Sequence, residues 1–218
     1  MSMVFKRKLP IPKEIKERFP LDARSASFRE SKIKEIKDIL SGKDRRLLMI
    51  IGPCSADRED AVLDYISRLA RVQREVADRL LIVARVYTNK PRTAGIGYKG
   101  MLHTPNLAKE DSVLEGVIKI RQMHINVLKE TAMVAADEIL YPDYYRYFSD
   151  LIAYAAVGAR STENQQHRLV SSGLDIPVGM KNPTAGGVQV MLNSIGAAQH
   201  GYNFIYRGYE VQSGGNPF

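Results

Sequence analysis

The chain has 218 residues, 44% hydrophobic and 26% charged, which is enough for one domain with a real core and too few for two comfortable ones. That balance is ordinary for a soluble globular protein, no apolar run approaches the length of a membrane span, and residues 1–8 (Met-Ser-Met-Val-Phe-Lys-Arg-Lys) lack the apolar stretch of a secretory leader. The single cysteine excludes an internal disulfide and suits a reducing, cytoplasmic setting.

The net charge is +8, and it is unevenly placed. Residues 1–46 hold 14 Lys and Arg against 7 Asp and Glu, whereas residues 47–218 hold 18 against 17. The chain therefore divides into a basic N-terminal extension, 1–46, and a nearly neutral body, 47–218. The alternation of Lys32, Lys34 and Lys37 with Glu30, Glu35 and Asp38 reads as a salt-bridged helix face, not a nucleic-acid surface. No nucleic-acid or membrane partner is expected.

In chain order, residues 1–20 contain Pro10, Pro12 and Pro20 and read as extended or irregular. Phe28, Ile33, Ile36, Ile39 and Leu40 make an apolar stripe, so the spacing predicts one amphipathic helix over 27–40, ended by Ser41-Gly42. Residues 47–51 read as a fully buried strand and 57–80 as a helix. Residues 81–87 read as a second buried strand. The connection 88–111, rich in Gly, Pro, Lys and Thr, has the length of loops that are usually functional or disordered. A capping box at Ser112 and Glu115 opens the next helix. Strands are expected at 133–140, 155–159, 177–180 and 203–206, with helices over 144–151, 164–171 and 188–199 between them. Continuous apolar strands alternating with helices indicate a parallel α/β fold of about six β/α units. A closed (β/α)8 barrel has eight.

Cations recur where those strands end. Arg85 follows the apolar run 80–84, with Lys90 and Arg92 just beyond it; Arg160 follows 155–159, and Lys181 follows 176–180. In a parallel barrel the active site lies at the strand C-terminal ends, so these groups would form a cavity for a substrate with several negative charges. Taken singly, the residues have plainer readings. A lone cysteine is usually a packing residue. Asp137 and Glu138 are open between a solvated acidic pair and a functional one. Tyr141, Tyr144, Tyr145 and Tyr147 pack a helix, and His167 and His200 are surface or structural.

Five segments in order carry a specific likeness: Ile-Ile-Gly-Pro-Cys-Ser at 50–55, Arg-Val-Tyr-x-x-Lys-Pro-Arg-Thr at 85–93, Gly-Tyr-Lys-Gly at 97–100, Gly-Ala-Arg-Ser-Thr-Glu-Asn-Gln at 158–165 and Pro-Val-Gly-Met-Lys-Asn at 177–182. From about residue 14 onward the chain closely resembles class I 3-deoxy-D-arabino-heptulosonate-7-phosphate (DAHP) synthase. The resemblance implies a (β/α)8 TIM-barrel fold. It implies a transferase that condenses phosphoenolpyruvate with erythrose 4-phosphate, the first step of the shikimate pathway to aromatic amino acids. Arg85, Lys90, Ala159, Arg160 and Lys181 would surround phosphoenolpyruvate, and Pro91, Arg92 and Thr93 would hold erythrose 4-phosphate. Glu138 and Lys90 would be catalytic. Cys54 would be one ligand of a divalent metal (Mn²⁺, Fe²⁺, Co²⁺ or Zn²⁺). The resemblance also implies a homodimer or tetramer assembled through the N-terminal segment, with an aromatic amino acid as effector.

The likeness has gaps. The family's remaining ligands, a His, a Glu and an Asp, and an Ile-Leu-Arg-Gly-Gly segment are not found; His103, His124, His167 and His200 do not sit in the metal motif. The expectation is a shortened chain with an incomplete metal site, impaired or no activity, and open sheet edges that favour association. Two alternatives stand beside it: a non-catalytic regulatory or binding module derived from the synthase, and a phosphosugar aldolase using Lys181 as a Schiff base.

Overall fold

The computed structural model describes residues 3–92, 95–106 and 112–218. Among them, strands β1 (Leu47–Ile51), β2 (Leu80–Arg85), β3 (Ala135–Glu138), β4 (Ile152–Val157) and β5 (Val178–Met180) form one sheet in sequence order. Every pairing is parallel. Helices α1 (Pro12–Arg18), α2 (Ala23–Leu40), α3 (Glu59–Glu75), α4 (Val113–Thr131), α5 (Pro142–Tyr145), α6 (Gln165–Ser171) and α7 (Val188–Ala198) lie before or between the strands.

The alternation follows from the sequence pattern. In α3, Val62, Ile66, Leu69 and Ala70 recur at helical spacing and are buried. Strands β2 and β4 are apolar but for Arg85, and β2, β3 and β4 are buried without alternation and have no exposed residue. Ser112 caps α4 by accepting from the Glu115 amide. Asp22 caps α2 by accepting from the Ser25 amide at 2.9 Å, which with Lys129 nearby holds its carboxyl down at about 2.

Helix α2 touches both β1 and β4, three strands apart, so the sheet is curled into part of a barrel with α2 across one end. That end is where β4 begins, because Arg29 of α2 donates from Nε to the Ile152 carbonyl at 2.8 Å. Ile33 and Ile36 enter the core from this helix. The extension 1–46 is thus a fixed part of the body over its second half. It also holds two helices where one was expected, since Pro12 sits in the first turn of α1 and Glu14 accepts from the Ile11 amide. No helix among the described residues is long and apolar enough to cross a membrane.

Two further expectations are corrected. Strand β1 is not fully buried. Leu48 and Ile50 pack on the core, but Leu47 is 69% exposed, and Met49 and Ile51 are also open, because β1 pairs only with β2 and that face carries no covering element among the described residues. The segment read as a sixth parallel strand, β6 (Asn203–Tyr206), is a strand but leaves the sheet. It pairs antiparallel with β7 (Tyr209–Gln212) across Arg207-Gly208, both at positive φ. This is the two-residue turn whose twist suits a hairpin. The parallel units therefore number five among the described residues.

The outer edge of β5 is partly occupied. The Val178 amide donates to the Phe218 carbonyl at 3.1 Å, and the buried Asn216 side chain donates to the carbonyls of Ser171, Leu174 and Ile176.

Candidate active site

Cations from the C-terminal ends of β2 and β5 converge on one ring, that of Tyr87. Arg85 is the last residue of β2, and Tyr87 follows two places later, on the same side of an extended chain. The Arg85 guanidinium lies over that ring at 4.0 Å, and the Lys181 ammonium, from just beyond β5, approaches the same ring at 4.7 Å. Cations over an aromatic face are attracted to it without being neutralised. Tyr87 is itself only 6% exposed, and burial pushes its hydroxyl up to about 12 although Arg85 acts the other way.

Arg85 is held by the Pro53 carbonyl at the end of β1, to which Nη1 donates at 2.5 Å. This close approach requires Gly52, where a Cβ would stand 2.2 Å from the Arg85 carbonyl oxygen. Lys90 reaches back to the same β1 end and donates to the Cys54 carbonyl and, at 3.0 Å, to the Cys54 Sγ. The loop bearing Lys90 is braced by a bridge between Asn89 and Gly100, where φ is +92° and a Cβ would meet the Asn89 backbone.

The exposed thiol of Cys54 is lowered from its usual value by the Lys90 hydrogen bond first and the Lys90 charge second, with Arg85 and Arg92 adding to it. Arg92 also donates to the Tyr98 carbonyl at 2.8 Å. Glu138, 5% exposed, ends β3 and meets Lys181 at 2.5 Å. Gly158, at the end of β4, leaves the room for it, since a Cβ there would lie 2.4 Å from Glu138 Oε1. The result is a cluster at the strand C-terminal ends in which Arg85 and Lys181 share the Tyr87 ring, Lys90 binds Cys54, and Lys181 pairs with the Glu138 carboxylate.

The structure brings Cys54, Arg85, Lys90, Glu138 and Lys181 into one connected cluster. Pro91 and Arg92 lie on its rim, with Arg92 exposed. Ala159 and Arg160 follow β4 at the same end; Ala159 is half-buried, while Arg160 is exposed and has contacts of its own. Thr93 lies outside the described residues.

A sequence model of the DAHP synthetase I family matches residues 21–206. The chain belongs to the DAHP synthetase I family. Within it, a phospho-2-dehydro-3-deoxyheptonate aldolase of Corynebacterium glutamicum is 38% identical over 197 residues, 90% of this chain and 53% of that protein. The Tyr-sensitive enzyme of that name from Escherichia coli is 36% identical over 90% of this chain and 55% of its own length. The solved structure of the Francisella tularensis protein of the same name superposes with a TM-score of 0.92 at 30% identity, covering 99% of this chain and 64% of that one. The chain spans about half the length of the curated relatives it matches. That superposition identifies the curled sheet as the corresponding part of a DAHP synthase barrel.

The donors present do not make a metal centre of the expected kind. Cys54 offers one thiolate, and the described residues contain no group of three or more His, Cys, Asp and Glu able to hold an ion. His124 is wholly buried against Asp137, and His167 is held between Asn164 and the Leu140 carbonyl, with burial lowering it below the usual histidine value. Both are structural.

Two parts of the cluster escaped the sequence reading. Tyr87 was legible in principle, because residues i and i+2 share a strand face and Arg85 was already singled out. Asp137 is not half of a solvated acidic pair: it is wholly buried and accepts from Thr88, Glu138 and His124.

Proposed function

We propose that this chain carries the phosphoenolpyruvate-binding part of a DAHP synthase site and acts in the condensation of phosphoenolpyruvate with erythrose 4-phosphate. The observation that supports this best is the meeting of Arg85 and Lys181 on Tyr87, beside Lys90 and Cys54. Phosphoenolpyruvate carries a carboxylate and a phosphate on a three-carbon frame, so it needs several cations within a few ångströms. Arg85, Lys90, Arg160 and Lys181 would bind it, with the Ala159 backbone near its phosphate. Pro91, Arg92 and Thr93 would hold erythrose 4-phosphate.

In the reaction, the enol carbon C3 forms a bond to the aldehyde carbon, whose oxygen gains a proton. Water adds at C2 and gives up one proton, and the C2 hydroxyl so formed becomes the ketone by passing its second proton to the departing phosphate as the C2–O bond breaks and inorganic phosphate is released. Lys90 would supply the proton to the aldehyde oxygen. Glu138, poised by Lys181, would orient the water and accept its proton. Holding both anions in one recess supplies the orientation that dominates such a two-substrate step. A divalent metal would polarise the aldehyde when bound. Cys54 would contribute one ligand, and the remaining donors are not found among the described residues.

The same reading extends to regulation and assembly. A cavity of about 650 Å³ lies between α2, the start of β4 and the β6–β7 hairpin. Tyr145, Phe204, Tyr206 and Val211 give it an aromatic and apolar wall, and Arg29, Arg146, Asp150 and Asp175 line it with both charges. That chemistry fits an aromatic amino acid, and E. coli relatives are named Tyr-sensitive and Phe-sensitive. Homo-oligomerisation through residues 1–46 and a cytoplasmic location belong to the proposal.

Calorimetric titration of the chain with phosphoenolpyruvate, followed by a condensation assay with erythrose 4-phosphate and Mn²⁺, tests it. Saturable binding with turnover is expected for a competent site, and saturable binding alone for the binding module derived from it. Absence of binding at ten-millimolar phosphoenolpyruvate contradicts both. The Schiff-base alternative is disfavoured by the ion pair of Lys181 with Glu138, which an amine nucleophile would have to give up. Borohydride trapping of a Lys181 adduct would restore it.

A further inference from the structure

We infer that Asp137 is a positioning residue: it fastens the segment that carries Lys90 to the backbone that carries Glu138, and so fixes the distance between those two groups. The inference rests on the proposed role of Lys90 and Glu138 but not on the identity of the substrate.

Backbone pairing between β2 and β3 runs out early. Its last partners are Arg85 and Ala136, closed by the Val86 amide on the Ala136 carbonyl at 2.9 Å. Beyond that point the two chains are joined by a side chain. Asp137 Oδ1 accepts from the Thr88 amide at 3.0 Å and from the Glu138 amide at 2.7 Å, so one oxygen ties both strand ends. Oδ2 accepts from Thr88 Oγ1 at 2.6 Å and lies 3.2 Å from His124 Nε2.

A second path closes the loop. Asn89 Nδ2 donates to Thr88 Oγ1 and to the Tyr144 hydroxyl at 2.8 Å, and that hydroxyl donates to the Glu138 carbonyl at 2.6 Å. Asp137, Thr88 and His124 are fully buried, and Asn89 is 2% exposed. A buried carboxylate with four donors is costly to disturb, because each donor left behind is then unpaired away from water. Thr88 and Asn89 immediately precede Lys90, and Asp137 immediately precedes Glu138. The network therefore controls the entry of both functional side chains without touching the recess, since alternate residues of β3 face opposite ways. Displacements of an ångström are enough to matter in such a site.

Asp137→Ala, Asp137→Asn and Thr88→Val separate positioning from folding. Asp137→Ala removes all four acceptor contacts, and phosphoenolpyruvate affinity should fall about tenfold. Thr88→Val keeps the shape but loses the hydroxyl. It should weaken affinity about threefold with a melting temperature within a few degrees of the parent. Asp137→Asn retains an oxygen for both backbone amides and should restore affinity to within about twofold. Amide hydrogen exchange at Thr88 and Lys90 should quicken in the order Asn, Val, Ala.

Thr88→Val decides the matter should Asp137→Ala fail to fold. Affinity within twofold of the parent in Thr88→Val, together with unaltered exchange at Thr88 and Lys90, overturns the inference. Should the parent itself bind no phosphoenolpyruvate, the proposed function fails, and exchange alone judges the positioning role: faster exchange upholds it and unchanged exchange refutes it.

Discussion

The two ends of the curled sheet use the same residue types for opposite purposes. At the end where the strands begin, cations are consumed by structure. Arg121 of α4 is wholly buried, forms a two-pronged pair with Asp150 at 2.8 Å on each side, and donates to the Phe19 and Tyr147 carbonyls. Arg29 is likewise buried and donates to the Ile152 and Ser149 carbonyls. At the end where the strands finish, Arg85 and Lys181 rest on an aromatic face, and among the described residues the carboxylate in contact with them is that of Glu138, paired with Lys181. A satisfied cation holds a fold together, whereas cations in excess of their anions keep a place for a guest.

The contrast can be broken from either side. The largest effect should come from Arg121→Ala, which leaves Asp150 and two carbonyls without their donor and should cost about 3 kcal/mol of stability in chemical denaturation, with phosphoenolpyruvate affinity unchanged in the folded fraction. It should also alter acid sensitivity. Burial, the largest influence, raises the Asp150 carboxyl, but the hydrogen bonds and charge of Arg121, with Lys16, bring it below its ordinary value. A carboxyl depressed in the folded state stabilises above its unfolded value and loses that contribution as pH falls through the folded one. The parent should therefore lose this contribution below about pH 4; the variant should lose less over that range, while Asp22 and the other paired carboxyls keep their acid sensitivity in both.

At the other end, Arg85→Ala or Lys181→Ala should weaken phosphoenolpyruvate binding about thirtyfold while the melting temperature moves by only a few degrees. Gly158→Ala drives a methyl into Glu138 and should separate it from Lys181, so that any turnover falls about tenfold or more; unchanged turnover would remove Glu138 from the mechanism. Tyr87→Leu should cost about fivefold in affinity and Tyr87→Phe almost nothing, which isolates the ring from the hydroxyl. The smallest effect is on Cys54. Its alkylation by iodoacetamide should begin at lower pH than for an ordinary thiol, and Lys90→Gln should move the profile upward, because Lys90 favours the thiolate.

Much of this was legible in the residues. Strands β2 and β5 announced themselves as unbroken apolar runs, and Arg85 and Lys181 mark where those runs stop, whereas β4 was read at 155–159 and runs over Ile152–Val157, three residues earlier at its start. Helix α1 was hidden by reading Pro12 as a breaker when it occupies the one helical turn that tolerates proline. The β6–β7 hairpin was hidden because Arg207 is left-handed, a conformation its side chain does not advertise. The openness of β1 was invisible because Leu-Leu-Met-Ile-Ile has the same composition whether or not anything covers its second face. Asp137 misled through its neighbour: adjacent acids suggest solvent, but strand alternation sends Glu138 to the recess and Asp137 inward, to His124 of α4.

The most direct test is a two-dimensional NMR titration of the intact chain with phosphoenolpyruvate, using lactate as a singly charged control. Shifts that saturate together at Tyr87, Lys90, Glu138 and Lys181, and that lactate fails to produce, are the outcome expected of a recess built for a double anion. Perturbations scattered over residues 1–46, or gathered around Arg29 and Arg121 at the opposite end, would contradict it.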